Sequence, residues 1–438
     1  MRLTILLMFF LAVLGRGYAQ SDSTSAWYNF HFQSTVINQT HPTFNAPYSG
    51  ANSLSANDES HLSFSNTVFF GAKLWHNAEA YTDVEMSGGE GFSATHGIAG
   101  FTNGETYRVS DSHPHVYFAR AYLRQIFPLT SEKVAVADGL TQVATQHPTS
   151  YVAVSAGKFS IMDFFDGNQF AHDPRSQFYN WALMGNGAWD YPANTRGYTY
   201  GAVVEFVKPT WAVRYGAVLM PVEANGAKLS LDLQNSIGQS LEYEKSYMLG
   251  AQAGKFRLLG FLNKASMVGY NDAISWGLTH NSTPSLDTLT AKGQTKYGFG
   301  ANVEQNITPS IGFFARGSWN DGKNQTWAFT EIDRHASLGF NFNGSLWHCQ
   351  GDVIGVAQVV NGISSAHKNY LASGGMGFML GDGALNYHPE MITEIYYSFK
   401  LPKYRLYLAP DYQFVLNPGY NSNRGPLHAF GLRVHVEI

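Results

Sequence analysis

The chain of 438 residues carries a formal net charge of −4, which argues against a nucleic-acid partner. Only 14% of its residues are charged, 15% are aromatic and 44 residues are glycine, whereas about a quarter of a typical soluble domain is charged. The single cysteine, Cys349, excludes an internal disulfide framework, so the fold needs another source of stability.

The first nineteen residues have the pattern of a secretory signal peptide. A positive start at Arg2 is followed by an apolar run, Leu3–Leu14, that is too short to span a bilayer as a helix. Small residues at Gly17 and Ala19 then occupy the positions that a signal peptidase reads. We therefore expect residues 1–19 to be a signal peptide, with a short membrane anchor as the alternative, and residues 20–438 to form one domain.

The rest of the chain alternates apolar and polar residues in segments of about ten residues, which predicts β-strands. In the last segment Leu432 and Val434 share one side, and Arg433 and His435 share the other. The predicted strands are 27–38, 62–74, 78–86, 114–127, 150–159, 197–207, 210–221, 239–252, 255–268, 296–307, 310–319, 330–346, 347–360, 388–400, 403–416 and 427–438. A soluble sandwich also alternates, but a polar face on nearly every strand favours an all-β, transmembrane antiparallel β-barrel of about sixteen strands, of the bacterial outer-membrane porin type.

The connections between these strands alternate in length, as in outer-membrane barrels with short periplasmic turns and long external loops. The long connections are 39–61, 87–113, 160–196, 271–295 and 361–387. The connection at residues 129–150 is long, although its place in the alternation predicts a short turn. We expect residues 132–145 within it to form a small periplasmic helix. Strand parity predicts that Val213, Tyr215, Leu432 and Val434 face lipid and that Arg214 and Arg433 face the pore.

Four strings resemble the carbohydrate-selective porin family, also called OprB-like porins. They are FNAPYSGANSL at 44–54, DGNQFAHDPR at 166–175, YNWALMGNGAWDYPANTRGY at 179–198 and PDYQFVLNPGY at 410–420. The resemblance implies a barrel of about sixteen strands in the outer membrane of a Gram-negative bacterium, through which glucose and similar small sugars diffuse passively. It implies outer-membrane lipid and the barrel-assembly machinery as partners and leaves a homo-oligomer open. One departure is the C-terminal Ile438, where such barrels often end in an aromatic residue.

A sugar-selective pore needs aromatic side chains against the apolar face of the sugar and polar groups for its hydroxyls. The connection 160–196 holds Trp181, Trp189 and Tyr191 for stacking, and Asp173, Arg175, Asp190 and Arg196 for hydrogen bonds. We expect this loop to fold inward and narrow the pore, as the resemblance also suggests. The alternative is that its aromatic residues form the loop's own small core.

Charged residues of one parity are expected on the pore wall. The inward residues of segment 114–127 are Arg120, Tyr122 and Arg124, with Ala119, Ala121 and Leu123 facing lipid. The inward residues of segment 78–86 are Glu79, Asp83 and Glu85. Opposed acidic and basic rows would hold a transverse field that orients polar solutes. Ion pairs that stiffen the wall are the alternative, and both can hold together. The predicted constriction comprises Glu85, Arg120, Arg124, Arg175, Trp181, Trp189, Asp190, Tyr191 and Arg196.

Two other function classes compete with a sugar-selective porin. One is a porin for other small polar solutes, and the other is a barrel enzyme such as a lipase. We expect no enzyme and no cofactor, because the sequence has neither a Gly-x-Ser-x-Gly nucleophile motif nor a phosphate loop. We expect no metal either, because neither the pair His113 and His115 nor the pair His172 and Asp173 has a third ligand at a metal-binding spacing.

Overall fold

The computed structural model describes residues 26–106, 112–289, 291–329 and 331–438. The predicted signal peptide lies outside these ranges. In chain order the strands are β1 Tyr28–His41, β2 Glu59–Lys73, β3 Ala78–Gly89, β4 His115–Pro128, β5 Lys133–Val136, β6 Thr145–Pro148, β7 Tyr151–Phe159, β8 Thr199–Lys208, β9 Trp211–Val218, β10 Ile237–Leu249, β11 Gln252–Ala265, β12 Gln294–Thr308, β13 Ile311–Asn320, β14 Arg334–Asn343, β15 Val353–Gly362, β16 Glu390–Leu401, β17 Leu406–Leu416 and β18 Leu427–Glu437.

The helices of the described ranges are short and lie between strands. The α-helices are α1 Trp181–Met184, α2 Tyr270–His280 and α3 Ser365–Ala372. The 3₁₀ turns are Phe92–Thr95, Ile161–Asp163, Gly344–Trp347, Pro402–Tyr404 and Pro418–Tyr420. Within the described ranges, no helix combines the length and the apolar character that a membrane crossing requires.

Sixteen strands of the described chain close into one antiparallel barrel, in which each strand pairs with its neighbours in sequence and β1 pairs with β18. They match the sixteen predicted segments one to one, which confirms the predicted fold class. The last residue takes part in the closure, because Phe32 and Ile438 exchange backbone hydrogen bonds of 2.9 and 2.8 Å. Such closure leaves no unpaired sheet edge, and this ladder provides the stability that disulfides do not.

The predicted register of β9 and β18 is confirmed. Tyr215 and Leu432 point outward and keep 43% and 48% of their surface exposed, whereas Arg433 is fully buried inside the barrel. Arg214 also points inward, where it pairs with Glu205 at 3.1 Å. Alternation of apolar and polar residues along one strand therefore separates the lipid-facing surface from the lumen, as the period of two requires.

The predicted helix at 132–145 is wrong. Strands β5 and β6 form a separate two-stranded hairpin there, with Val134 opposite His147 and Val136 opposite Thr145. The β-branched Val134, Val136 and Thr145 favour extended backbone over helix. Asp138-Gly139 also supplies the residue types that turns prefer. The connection is at the end of the barrel where the chain termini and the short turns lie, which is the periplasmic end.

Strand β4 contains a bulge that changes its parity. Asp83 pairs with Arg120 while the next residue, Val84, pairs with Phe118, so Ala119 is an extra residue without a partner. The prediction that Ala119 faces lipid is wrong, because its side chain is fully buried at this bulge. The bulge turns both Tyr117 and Arg120 toward the lumen, although their positions differ by an odd number.

The largest buried apolar cluster lies inside the barrel and is built mainly by the long connections. Its members from those connections include Leu54, Ile98, Phe101, Phe165, Trp181, Tyr191, Phe329, Leu380 and Tyr420. Inward residues of the strands, such as Val203, Phe314 and Ile392, pack against them. The long connections at the extracellular end therefore fold into the lumen and share one core.

Buried charges hold helix α3 against the other extracellular connections. His367 is fully buried, with its Nδ1 at 3.1 Å from Asp333 and its Nε2 at 3.6 Å from Glu331. Its ring stacks on Tyr270 of α2 at 4.3 Å, and Asp333 also faces Lys296 at 3.7 Å. Burial opposes the protonated histidine, but the two carboxylates outweigh it and raise the pKa of His367.

We expect this contact to weaken above neutral pH. Because the pKa of His367 is raised in the folded chain, its stabilising contribution is complete below the ordinary value of 6.5 and is lost as the pH rises through the raised value. Hydrogen exchange of the α3 amides, corrected for intrinsic rates, should therefore speed up at high pH. His367→Gln should abolish this pH dependence, and an unchanged dependence in the variant would contradict the assignment.

A second prediction concerns the lipid-facing surface. Leu432→Arg places a charge in the middle of β18 on the outward side, which should lower the free energy of unfolding by roughly 2–4 kcal/mol in a bilayer. Denaturant titration of the protein in lipid vesicles measures this loss. Leu432→Phe keeps an apolar side chain and is the matched control; equal losses for the two variants would show that the register is wrong.

Candidate functional site

The connection between β7 and β8, residues 160–198, crosses the lumen and is named here the inward loop. On one side of the barrel, Glu394 of β16 accepts hydrogen bonds from the backbone N–H groups of Tyr179 and Asn180. Arg433 of β18 donates to the carbonyl oxygens of Pro174 and Gln177 at 2.7 and 2.6 Å. Side chains of the barrel wall thus provide hydrogen-bond partners for backbone N–H and C=O groups of the loop, which would otherwise need water.

The opposite side of the barrel binds the same loop. Glu242 of β10 accepts a hydrogen bond of 2.6 Å from the N–H of Asp166. Arg316 of β13 donates to the carbonyl oxygens of Ala171 and Leu183 at 2.7 and 2.9 Å. Since the loop is bound from β10 and β13 as well as from β16 and β18, it spans the lumen and divides its cross-section.

A cavity remains between the inward loop and the wall formed by β1 to β4, and we name it the lumen cavity. Its volume is about 270 Å³, slightly below the roughly 300 Å³ at which small-molecule pockets usually begin. The predicted site residues that line it are Glu85, Arg120, Arg175, Trp181, Tyr191 and Arg196. The structure therefore brings two thirds of the predicted set to one place.

Ion pairs arrange the charges of the lumen cavity. Arg120 binds Asp83 at 3.0 Å and makes two hydrogen bonds, of 2.6 and 2.8 Å, to Asp163 of the inward loop. Arg175 of the loop binds Glu85 of β3 and Glu105 of another connection, each at 2.8 Å. Acidic and basic residues are therefore direct neighbours and not opposed rows, which agrees with the alternative of ion pairs that stiffen the wall.

Aromatic rings form another part of the cavity wall. Trp181 lies nearly parallel to Phe101 at 5.1 Å and to Phe329 at 4.9 Å between ring centroids. Tyr191 stacks on Phe329 at 4.3 Å, so the four rings form one continuous stack. Trp181, Tyr191 and Phe329 also line the lumen cavity. The loop aromatics are thus both part of the loop core and part of the cavity surface.

Several residues at the lumen cavity were missed by sequence reasoning. Tyr117 and Tyr198 both hydrogen-bond to Glu85, and the Arg196 guanidinium lies 4.5 Å from the Tyr117 ring centroid. Strand parity concealed Tyr117, because the bulge at Ala119 is not visible in the alternation. Phe329 belongs to a distant connection, and no local pattern placed it near Trp181.

Three predicted site residues lie away from the lumen cavity. Arg124 pairs with Glu205 and donates to Ser155 at 3.2 Å on the neighbouring wall. The Asp190 carboxylate accepts backbone hydrogen bonds from residues 327 and 328 at 3.1 and 2.6 Å, so it holds a loop in place. Trp189 is buried edge-on to Phe165 at 6.3 Å and borders a separate, much smaller void.

The described residues contain no group of three or more histidine, cysteine, aspartate and glutamate side chains that could hold a metal ion. Polar contacts of the lumen cavity are instead those of charged pairs, tyrosine hydroxyls and aromatic rings. Such a surface offers hydrogen bonds and an apolar wall to a small polar molecule.

Comparison with known proteins identifies the family. The model of the family described as "Carbohydrate-selective porin, OprB family" matches residues 51–438. The high-pH structure of Pseudomonas putida OprB has a TM-score of 0.71 at 16% identity, with 94% of each chain covered. The low-pH structure of the same protein gives 0.48 at 12% identity, covering 94% of this chain and 92% of the other. Pseudomonas aeruginosa OccK2 (OpdF) gives 0.44 at 9% identity, covering 93% and 97%.

No curated protein sequence matches the chain. At 16% identity the high-pH structure of Pseudomonas putida OprB establishes a shared fold, and the family model establishes membership. The closed sixteen-stranded barrel is consistent with both. The chain therefore belongs to the carbohydrate-selective porin (OprB) family and is a porin of the Gram-negative outer membrane.

Proposed function

We propose that the lumen cavity is the sugar-reading constriction of this porin and that small neutral sugars such as glucose pass through it one at a time. The observation that carries the proposal is the meeting of paired charges, at Arg120 and Arg175, with the aromatic stack of Trp181 and Tyr191 around one small cavity. The inward loop supplies the aromatic side, and the strands β3 and β4 supply much of the charged side.

The chemistry of the cavity suits a neutral polyol. Sugar hydroxyls exchange hydrogen bonds with the guanidinium and carboxylate groups in turn, while the C–H face moves along the aromatic wall. Because Arg120 and Arg175 each already bind two carboxylates, an anionic solute would have to compete with fixed negative charges. The hold on a sugar stays weak, as passage requires.

The outer surface supports membrane lipid as a partner of the barrel. Outward residues near mid-strand, such as Leu258, Leu338 and Ile395, keep large apolar side chains exposed. Exposed aromatic residues lie at the periplasmic end, at Trp75 and Tyr404. Apolar surface of this kind with aromatic residues near the interface is typical of barrels in lipid.

Liposome swelling with a panel of solutes tests the proposed function. We expect neutral monosaccharides to enter faster than disaccharides, which are larger than the cavity. We also expect them to enter faster than sugar acids and amino acids of similar size, whose charges compete with the ion pairs of the cavity. Equal rates for all small solutes would favour a porin of general selectivity. Release of fatty acids from the vesicles would instead support a barrel enzyme.

Replacing Arg120 should weaken sugar block of the single-channel current. Arg120→Lys keeps the charge but loses the two-point contact with Asp163, so the sugar concentration for half block should rise roughly three- to tenfold. Arg214→Lys is the matched control, because Arg214 is also an inward arginine bound to several glutamates but lies away from the lumen cavity. Equal shifts in the two variants would argue against a sugar contact at Arg120.

Substitution of two tryptophans of the inward loop distinguishes a contact with the sugar from a role in packing alone. Trp181→Leu removes a ring from the cavity surface and should weaken sugar block roughly threefold to tenfold. Trp189→Leu alters a buried ring that borders a different void, so we expect a smaller change in block. Single-channel recording with glucose compares the two, and a larger effect of the Trp189 change would contradict the proposed location of the wall.

A further inference from the structure

The lumen cavity is bounded from the periplasmic end as well as by the inward loop. The hairpin β5–β6 joins β4 to β7 at the end of the barrel that holds the short turns. Its tip, residues 137–144, folds back into the barrel, and Leu140 and Thr141 line the same cavity as Arg120, Arg175 and Trp181. Short turns are the rule at this end of such barrels, so an ordered hairpin directed inward needs an explanation.

We propose that the hairpin tip, residues 137–144, is the inner lip of the lumen cavity and sets the largest sugar that can pass on to the periplasm. This inference rests on the proposed function, since it assigns the exit of the same sugar pathway. The inward loop then shapes the cavity from the extracellular side, and the hairpin tip shapes it from the periplasmic side.

A dense set of contacts fastens the hairpin tip to the first strand. The Asn29 side-chain amide donates to Asp138 Oδ1 at 2.9 Å and to the carbonyl oxygens of Gly139 and Gln142 at 3.0 and 2.9 Å. His31, two residues further along the inward side of β1, lies 3.0 Å from Asp138. One buried asparagine thus donates to three acceptors of the tip, and these hydrogen bonds hold the tip against β1.

The opposite side of the hairpin is fastened to β2 and β3. Val143 is fully buried, and its N–H donates to the Tyr81 hydroxyl at 3.4 Å. Close packing at Gly71 of β2 leaves no room for a side chain, because an added Cβ would lie 2.7 Å from Val143. His147 of β6 binds Glu79 of β3 at 3.0 Å. These contacts hold Leu140 and Thr141 at the cavity and not in the periplasm.

The placement of the tip has a consequence for selectivity. A sugar that leaves the cavity toward the periplasm passes an apolar side chain, Leu140, and a small hydroxyl side chain, Thr141. Their combination gives a short, weakly polar exit that adds size selection without a strong binding site. Loss of the anchor at Asn29 should therefore relax discrimination by size more than discrimination by charge.

Thiol labelling of the tip tests the proposal. In a Cys349→Ser background, Thr141→Cys is treated with a trimethylammonium methanethiosulfonate, which should lower the glucose swelling rate and the ion conductance by roughly twofold or more. Ala135→Cys is the matched control, because Ala135 is exposed on β5 of the same hairpin and away from the cavity. Unchanged flux after labelling at 141, or equal loss at 135, would overturn the proposal.

A second pair of variants needs no label. Asn29→Ala removes the three hydrogen bonds to the tip and should raise the rate of a disaccharide relative to glucose, because a released tip no longer narrows the exit. Asn38→Ala on the same strand is the control, since Asn38 is exposed and donates to the backbone of His61 instead. An unchanged disaccharide-to-glucose ratio in folded Asn29→Ala would contradict a size-limiting lip.

The outcomes separate this inference from the proposed function. Preference for glucose in the unmodified protein, with no effect of labelling at Thr141, would sustain the sugar pathway and reject the lip. Loss of conductance on labelling at Thr141, in a protein that shows no sugar preference, would sustain the lip and reject sugar selection.

Discussion

Loop backbone inside a barrel must find hydrogen-bond partners there, and the inward carboxylates of the wall meet this requirement. Glu394 accepts two N–H groups of the inward loop, and Glu390 accepts the N–H groups of Ala99, Gly100 and Gly419 from two further connections. Each carboxylate offers several lone pairs, so one wall residue can fix a turn of loop. The shape of the pore depends on these hydrogen bonds, because without them the backbone N–H groups of the connections would be buried in the lumen without acceptors.

Ion pairs also arrange the charged residues around the lumen cavity. Arg120 of the wall pairs with Asp83 and with Asp163 of the inward loop, and Arg175 of the inward loop pairs with Glu85 of the wall and Glu105 of another connection. These ion pairs join the wall to the connections, and the opposite charges within each pair cancel much of one another's field. A pathway built from paired charges and stacked rings can offer a neutral sugar many weak contacts in sequence. This agrees with membership of a family of carbohydrate-selective porins, in which solutes must enter and leave without being trapped.

Elements from both ends of the barrel meet at this cavity. The inward loop enters from the extracellular end and is bound across the lumen, while the hairpin β5–β6 enters from the periplasmic end and is bound to β1, β2 and β3. The bulge at Ala119 serves the same arrangement, because it turns both Tyr117 and Arg120 toward the lumen from one strand. The strands thus hold polar side chains such as Arg120 in place, and the connections determine the shape of the lumen cavity.

The alternation of side chains by itself predicted the barrel, its sixteen strands and the inward direction of residues such as Arg433, because the period of two between apolar and polar residues is a local property that about ten consecutive residues display. Which inward residues meet was decided only by tertiary structure. The sequence predicts Trp181 and Trp189 equally as stacking residues of one loop, yet of these two only Trp181 lines the lumen cavity. Its partner Phe329 and the hairpin residue Thr141 are distant along the chain. Contacts of this kind depend on how separate connections pack in one lumen, and no local period encodes that packing.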